Sequence, residues 1–414
     1  MQHRGDIAAW LRLQLTPGVG AVSTRRLLAA FSLPDQIFRQ SQSALEAVVS
    51  EKQAKALLRE PVGFSVALQN LEGWLNQNGQ RFVALGDLDY PQSLLQSPDP
   101  PLCLYVQCAD WQWWQLWAKE KQPPLLGMVG SRKPSPQGER TAQTWAKEIT
   151  QSGFSVISGL ALGVDAAAHK GALQAPAWGM GRSIAVVGTG LDVVYPRQHT
   201  QLAQEILNAG GAILSEFPLG TPAIATNFPK RNRIIAGLGL GVVVIEAALQ
   251  SGSLITARLA MEANREVFAL PGSIYSPQSQ GCHALIKQGA QLVESAQEVI
   301  QALPPQSMLG INFATNNIAF EADKKKSPED PLSTVTQKSM LKKEKEKESQ
   351  TTVLSKGSEK ESPLLLALGF APISLEALLL ELSYSAAELQ MELLQLELAG
   401  KVSRLPGGLY QRLI

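Results

Sequence analysis

The residues most able to do chemistry in this chain lie in one basic run, NFPKRNRIIAG, from Asn227 to Gly237. Asparagine caps helices and proline is tolerated in a first helical turn, so Asn227 and Pro229 predict a short helix that Gly237 ends. Lys230 and Arg233, three apart, fall on one face of it, with Arg231 and Asn232 beside them. Cations at the positive end of a helix hold an anion by charge and by free N–H groups together. Phosphate suits such an end. A solvated surface helix would show the same run, so the surrounding elements have to decide.

Those elements begin at Leu125, where the chain starts to alternate strand, small-residue turn and helix. LLGMVGSR ends in Gly130, Ser131 and Arg132; FSVISG ends in Ser158 and Gly159; SIAVVGTGLD and GAILSEF follow. GVVVIEA then leads into SGSLITA, which carries Ser251, Gly252, Ser253 and Thr256, and EVFALPG comes last. Apolar strands at this spacing predict an α/β fold, a Rossmann-like, mostly parallel sheet covered on both faces. In that architecture ligands collect at the carboxyl ends of the strands, the edge on which all these turns lie. Small residues there let backbone N–H groups approach phosphate oxygens, and Arg132 adds a fork-shaped donor. Gly188-x-Gly190 lacks the third glycine of a dinucleotide fingerprint, and there is no GxxxxGK[ST], so neither a nicotinamide or flavin cofactor nor an NTPase is expected.

At 414 residues with 45% hydrophobic side chains, the chain is long enough for two or three domains with a sizeable core. Its net charge of +1 means that a nucleic-acid site must come from local clustering. Cys103, Cys108 and Cys282 and the histidines His3, His169, His199 and His283 have no metal-ligand spacing; buried thiols in a reducing cytoplasm are expected, and no metal. MQHRGDIAAWLRLQL carries Asp6 and Arg12 where a signal peptide is apolar, and the run Ile234 to Ile245 falls short of the roughly 20 residues that span a membrane. We expect a helical domain of helix-hairpin-helix or SAM-like type at 1–75, with LTPGVG as a glycine turn that either grips duplex phosphates or simply joins two helices. An extension at 76–124 leads into the sheet and contains WQWWQLW, which either stacks on single-stranded bases or packs against its neighbours. The Rossmann-like domain spans 125–303. Balanced charge runs and few apolar residues mark 304–361 as a flexible linker. Residues 362–414 read as a winged helix.

VGSRKPSPQGER, SGLALGVDAAAHKGAL, VVGTGLDVVYP, GAILSEFP, NFPKRNRIIAGLG, EAALQSGSLITA and EVFALPGS, collinear over about 125–295, closely resemble the DNA-processing protein A family, DprA or Smf. The resemblance implies a cytoplasmic, non-enzymatic protein that binds and protects single-stranded DNA. It also implies a homodimer through the Rossmann-like domain and loading of the recombinase RecA in natural transformation or recombination. Carried over by motif, phosphate contacts fall to Gly130, Ser131, Arg132, Ser158, Gly159, Lys230, Arg231, Asn232 and Arg233, with Ser251, Gly252, Ser253 and Thr256 lining the pocket. His199 and His283 stand where the family pattern has asparagine, and a structural role is expected for both.

The alternative is an enzyme, since the same core with a GSR turn occurs in phosphoribohydrolases acting on nucleoside monophosphates. Asp165 with His169, or Glu246, would then supply acid–base chemistry. The PGGxGTxxE motif of those enzymes is absent from this domain. In the C-terminal domain Glu376, Glu381, Glu388, Glu392 and Glu397 outweigh Lys401, Arg404 and Arg412, and an acidic third helix would be repelled by duplex DNA. A protein-interaction or dimer-modulating role is therefore expected there.

Overall fold

In the computed structural model of the chain the described residues are 4–119, 124–175, 181–303, 363–368, 372–382, 384–405 and 408–413. They fall into two units, one within Met1–Phe313 and one within Ala314–Ile414. The expected linker, 304–361, lies outside the described residues.

Helices come first: α1 (Arg4–Leu15), α2 (Ala21–Phe31), α3 (Pro34–Phe38), α4 (Gln42–Glu46), α5 (Glu51–Leu57) and α6 (Phe64–Leu75). Local signals start them, as in α5, where Ser50 and Gln53 form a reciprocal capping box. Thr16 to Gly20 joins α1 to α2 with Gly18 at a positive φ of 78°. Arg25, on α2, is engaged by Asp99 at 2.7 Å. The helices do not form a core of their own. Leu11, Leu27, Leu57 and Trp74 pack with Phe82, Ala84, Cys103 and Tyr105 of the next two strands.

Those strands are β1 (Gln80–Ala84) and β2 (Cys103–Cys108), with α7 (Gln92–Leu95) between them and α8 (Trp111–Ala118) after. In α8 Trp113, Trp114 and Trp117 are buried, and the Trp114 indole donates to the Asp89 carbonyl at 3.0 Å. The tryptophans pack, the second of the two readings.

The alternation follows as β3 (Leu125–Val129), α9 (Pro136–Gln151), β4 (Ser155–Ser158), α10 (Val164–Leu173), β5 (Ser183–Val187), α11 (Thr200–Asn208) and β6 (Ala212–Ser215). It continues with α12 (Asn227–Leu238), β7 (Gly241–Val244), α13 (Gly252–Glu262), β8 (Glu266–Ala269), α14 (Gln280–Lys287), β9 (Gln291–Leu292) and α15 (Ala296–Ala302). The nine strands form one sheet in the order β1-β2-β6-β5-β4-β3-β7-β8-β9. From β6 to β9 the pairs are parallel; β1 and β2 add to the β6 edge antiparallel. Strands β3 to β7 are buried throughout, as a sheet covered on both faces requires. The chain winds from β3 out to β6, then crosses back through α12 to β7 on the other side of β3. The winding therefore reverses between β3 and β7.

The second unit holds α16 (Pro363–Leu368), β10 (Ile373–Ser374), α17 (Leu375–Glu381), α18 (Ala386–Leu398), β11 (Val402–Leu405) and β12 (Leu409–Arg412), with the strands ordered β10-β12-β11. This is a winged helix, its core made by Leu364, Leu378, Leu389, Leu393 and Val402. Of the wing turn, Gly407 lies outside the described residues and Gly408 has φ 74°. On the face of α18 away from that core, Met391, Leu394 and Leu398 are exposed. Among the described residues no helix is long and apolar enough to cross a membrane, and no group of three or more His, Cys, Asp or Glu is placed to hold a metal ion.

Candidate nucleic-acid interface

Where the winding reverses, the ends of β3 and β7 leave a cleft of about 570 Å³ that the start of α12 overhangs. Open α/β sheets bind ligands at such a switch point. Gly130, Ser131, Arg132, Arg231, Asn232, Ser251, Gly252, Ser253 and Thr256 line it, joined by Lys133, Asp165 and Phe228.

The β3–α9 loop is held from behind. The Ser131 N–H donates to the Glu246 carbonyl at 2.6 Å, and the Ser135 N–H to the Glu246 carboxylate at 2.8 Å. Ser135 in turn caps α9, accepting from the Gly138 N–H at 3.0 Å. Burial pushes the Glu246 carboxyl upward, opposed by its bonds to Ser135. At Gly130 a β-carbon would fall 2.7 Å from Val164 Cγ2 and 3.0 Å from the Glu246 carbonyl, so only glycine lets the loop close on its support. Thus Glu246 anchors the loop that presents Arg132 and Lys133, both exposed.

The β4–α10 loop is held more tightly still. Ser158 is fully buried and its hydroxyl donates to the Met128 carbonyl at 2.6 Å, while the Gly159 N–H donates to Asp165 Oδ2 at 3.1 Å. Leu160 adopts a left-handed φ of 55°. Its N–H donates to His169 Nε2 at 3.3 Å, and its carbonyl accepts from His199 Nδ1 at 2.8 Å. With Nε2 an acceptor, His169 carries its proton on Nδ1 and donates to the Ser183 hydroxyl at 2.8 Å. Burial, with His199 and Arg231 nearby, pushes His169 down to about 3, so it is neutral. His283 bonds the Gly272 carbonyl through Nε2 at 3.0 Å.

The basic helix departs from expectation in several ways. Thr226, not Asn227, is the residue before its first turn, and no side chain caps it. Gly237 does not end it. The helix runs to Leu238, and Gly237 sits at a close contact, where a β-carbon would lie 3.1 Å from Leu94 Cδ2. Nor do its three cations gather on one rim. Arg231 is 3% exposed; its guanidinium lies under Gly159 and donates to the Val186 carbonyl. Burial pushes Arg231 down to about 10, with Asp165 opposing. Arg233 bonds Glu216 and, through Nε, Asp99 at 3.0 Å. Lys230, three residues away, is exposed and stands outside the cleft lining, near enough to help hold the Glu216 carboxyl down against the rise imposed by burial. Ser158, Gly159, Lys230 and Arg233 therefore do not line the cleft, while the other predicted residues do.

On the β7 side, Ser251 caps α13 by accepting from the Ser253 N–H at 3.3 Å, so the positive end of an 11-residue helix opens into the cleft. Asn232 Nδ2 reaches the Gly252 carbonyl at 3.3 Å and ties α12 to that turn. Above it, the Arg132 guanidinium lies 5.5 Å from the Phe228 ring centre. The arrangement thus offers one helix N-terminus, exposed Arg132 and Lys133, and a buried cation beneath. That is a receptacle for anions with an aromatic ring at its lip.

The model of the DNA recombination-mediator protein A family matches residues 81–304, and that of the DprA winged-helix domain matches residues 347–408. The chain belongs to the DprA/Smf family. Protein Smf of Synechocystis is 35% identical over 414 residues, covering 98% of this chain and 98% of that protein. Protein Smf of Escherichia coli is 44% identical over 265 residues, 63% of this chain and 68% of its own length. The X-ray structure of DprA from Streptococcus pneumoniae superposes with a TM-score of 0.57 at 32% identity, covering 73% of this chain and 99% of that one.

Lys133 and Phe228 are among the lining residues of this DprA/Smf chain that escaped the sequence reading. Lys133 directly follows Arg132 in the quoted SRK motif and needed only the motif's next residue. Phe228, within NFP, carried no signal, since an aromatic next to a predicted cap reads as core.

Proposed function

We propose that this DprA/Smf protein binds single-stranded DNA in the cleft at the ends of β3 and β7, without catalysing a reaction. One observation carries this: the cleft walls are a helix N-terminus and exposed cations, with no free acid–base group among them. Its carboxylate, Asp165, is buried and accepts from Gly159, and burial pushes it upward. Phosphates then meet Gly130, Ser131, Arg132, Lys133, Asn232, Ser251, Gly252, Ser253 and Thr256. Arg231 acts from beneath, and Ser158, Gly159 and Arg233 build the site without reaching the strand. Lys230 adds field from the flank of α12. Phe228 gives one base a face to lie on, a mode that tolerates any sequence.

Support for a homodimer is the exposure of three apolar side chains late in the Rossmann-like domain, Ile274, Tyr275 and Leu292, the last on the edge strand β9. Support for RecA loading is the family likeness. The winged helix fits a protein-interaction role, because α18 carries Glu388, Glu392 and Glu397 and no Lys or Arg.

What speaks against the enzyme reading is that His169 is neutral and engaged on both nitrogens and that Glu246 anchors a loop. Retention of oligo-dT over duplex of equal length, with no adenine released from AMP, is the expected outcome. Release of free base by the pure protein would overturn the proposal.

A further inference from the structure

The cation–aromatic contact at the lip of the cleft does not stop at Phe228. The ring of Tyr195 lies against that of Phe228, centres 5.5 Å apart and planes tilted by 41°. Arg132, Phe228 and Tyr195 therefore make a continuous row that starts inside the cleft and leads out along the loop after β5. Phe228 is held in this row from below. A β-carbon at Gly188 would lie 3.1 Å from Phe228 Cδ1, so the glycine turn after β5 seats the ring. Tyr195, at the outer end, leaves 45% of its surface exposed. An aromatic residue half in solvent, beside a phosphate receptacle, offers surface on which a base can stack. Arg197, two residues on, is exposed as well and supplies a cation beyond that face. Asp192 in the same loop is occupied: both its oxygens accept from the Gly220 N–H at 2.8 Å.

Resting on the single-strand reading above, we propose that Tyr195 forms a second base-stacking subsite. It takes the nucleobase that leaves the cleft, and Arg197 meets the phosphate that follows. The row fixes the direction of the strand, out of the cleft over Phe228 and across the β5 loop. Stacking on a ring is indifferent to base identity, so the subsite adds affinity and no sequence preference.

The test uses the full chain and oligo-dT carrying a single 2-aminopurine moved position by position, whose fluorescence is quenched when it stacks. One position is expected to show quenching that Tyr195→Ala removes and Tyr195→Phe keeps. At that position Tyr195→Ala should weaken binding about ten-fold, the size of one stacked base. Against an oligomer abasic there, the variant and wild type should bind alike. If the loss persists with the abasic oligomer, Tyr195 acts only by steadying Phe228 and the subsite is overturned. Equal loss in Tyr195→Phe, or no position whose quenching depends on residue 195, overturns it too. Arg132→Glu separates the two levels. If it abolishes binding while Tyr195→Ala changes nothing, the subsite alone fails; if it binds as wild type does, the single-strand reading fails and takes the subsite with it.

Discussion

Gly159 lies on the guanidinium of Arg231 so closely that a β-carbon there would fall 1.9 Å from Nη1 and 2.4 Å from Cζ. Gly159 in the β4–α10 loop and Arg231 on α12 stand 72 positions apart in the chain, yet each fixes the other: the glycine makes room, and the arginine props the turn from below. Gly159→Ala is therefore expected to cost about 1–3 kcal/mol through overpacking, read as a lower Tm. It should also weaken oligo-dT binding, because displacing Arg231 disturbs the floor of the cleft. An alanine variant as stable as wild type would show that Arg231 moves aside freely.

A pH dependence follows from His169, held neutral with its pKa pushed down to about 3. The unfolded chain protonates this residue near its ordinary value of about 6.5. Between those values the unfolded state binds the extra proton, so stability falls as pH drops below about 6.5, by at most about 1.4 kcal/mol per pH unit. Asp165 runs the other way, since burial raises it and the fold holds its proton more readily. In thermal melts from pH 7.5 to 4.5, His169→Gln should flatten the decline seen in wild type. An unchanged slope would assign the decline to other groups.

The two arginines of the basic helix are expected to behave unlike its lysine. Arg233 holds Glu216 and Asp99, and burial already pushes Glu216 upward. Arg233→Ala should destabilise by about 2 kcal/mol, less than the 3–5 of a fully buried pair because Asp99 is 44% exposed. That deficit should shrink as pH falls and Glu216 takes up a proton. Lys230→Ala should leave the melting temperature alone and lower the salt dependence of oligo-dT binding only slightly. A large effect of Lys230→Ala on affinity would place the strand on the flank of α12, outside the cleft.

The sheet was legible because its strands are short apolar runs ended by small residues, and that pattern has few other readings. The reversal of winding between β3 and β7 was not, since crossover direction depends on packing that periodicity does not encode. At the site, the small residues of the strand-end turns, such as Gly130, Ser131 and Ser251 to Ser253, line the cleft to which the turn pattern and the family motif pointed. The cations were harder. NFPKRNR reads as three equal charges, but which one is spent on Glu216, which is buried under Gly159 and which is free depends on partners 17 to 72 residues away. Glu246 read as a possible acid and proved to be a loop anchor for the same reason: its partner Ser135 lies 111 residues back.

The central claim, that exposed Arg132 and its neighbours hold a polyanion in this cleft, is tested most directly by oligo-dT affinity measured across salt for wild type and Arg132→Glu. Wild type should show log K falling against log salt with a slope of roughly −2 to −4, and the variant, folded to the same melting temperature, should lose binding at every salt concentration. A wild-type slope near zero, or a variant that binds as well as wild type, would contradict the account.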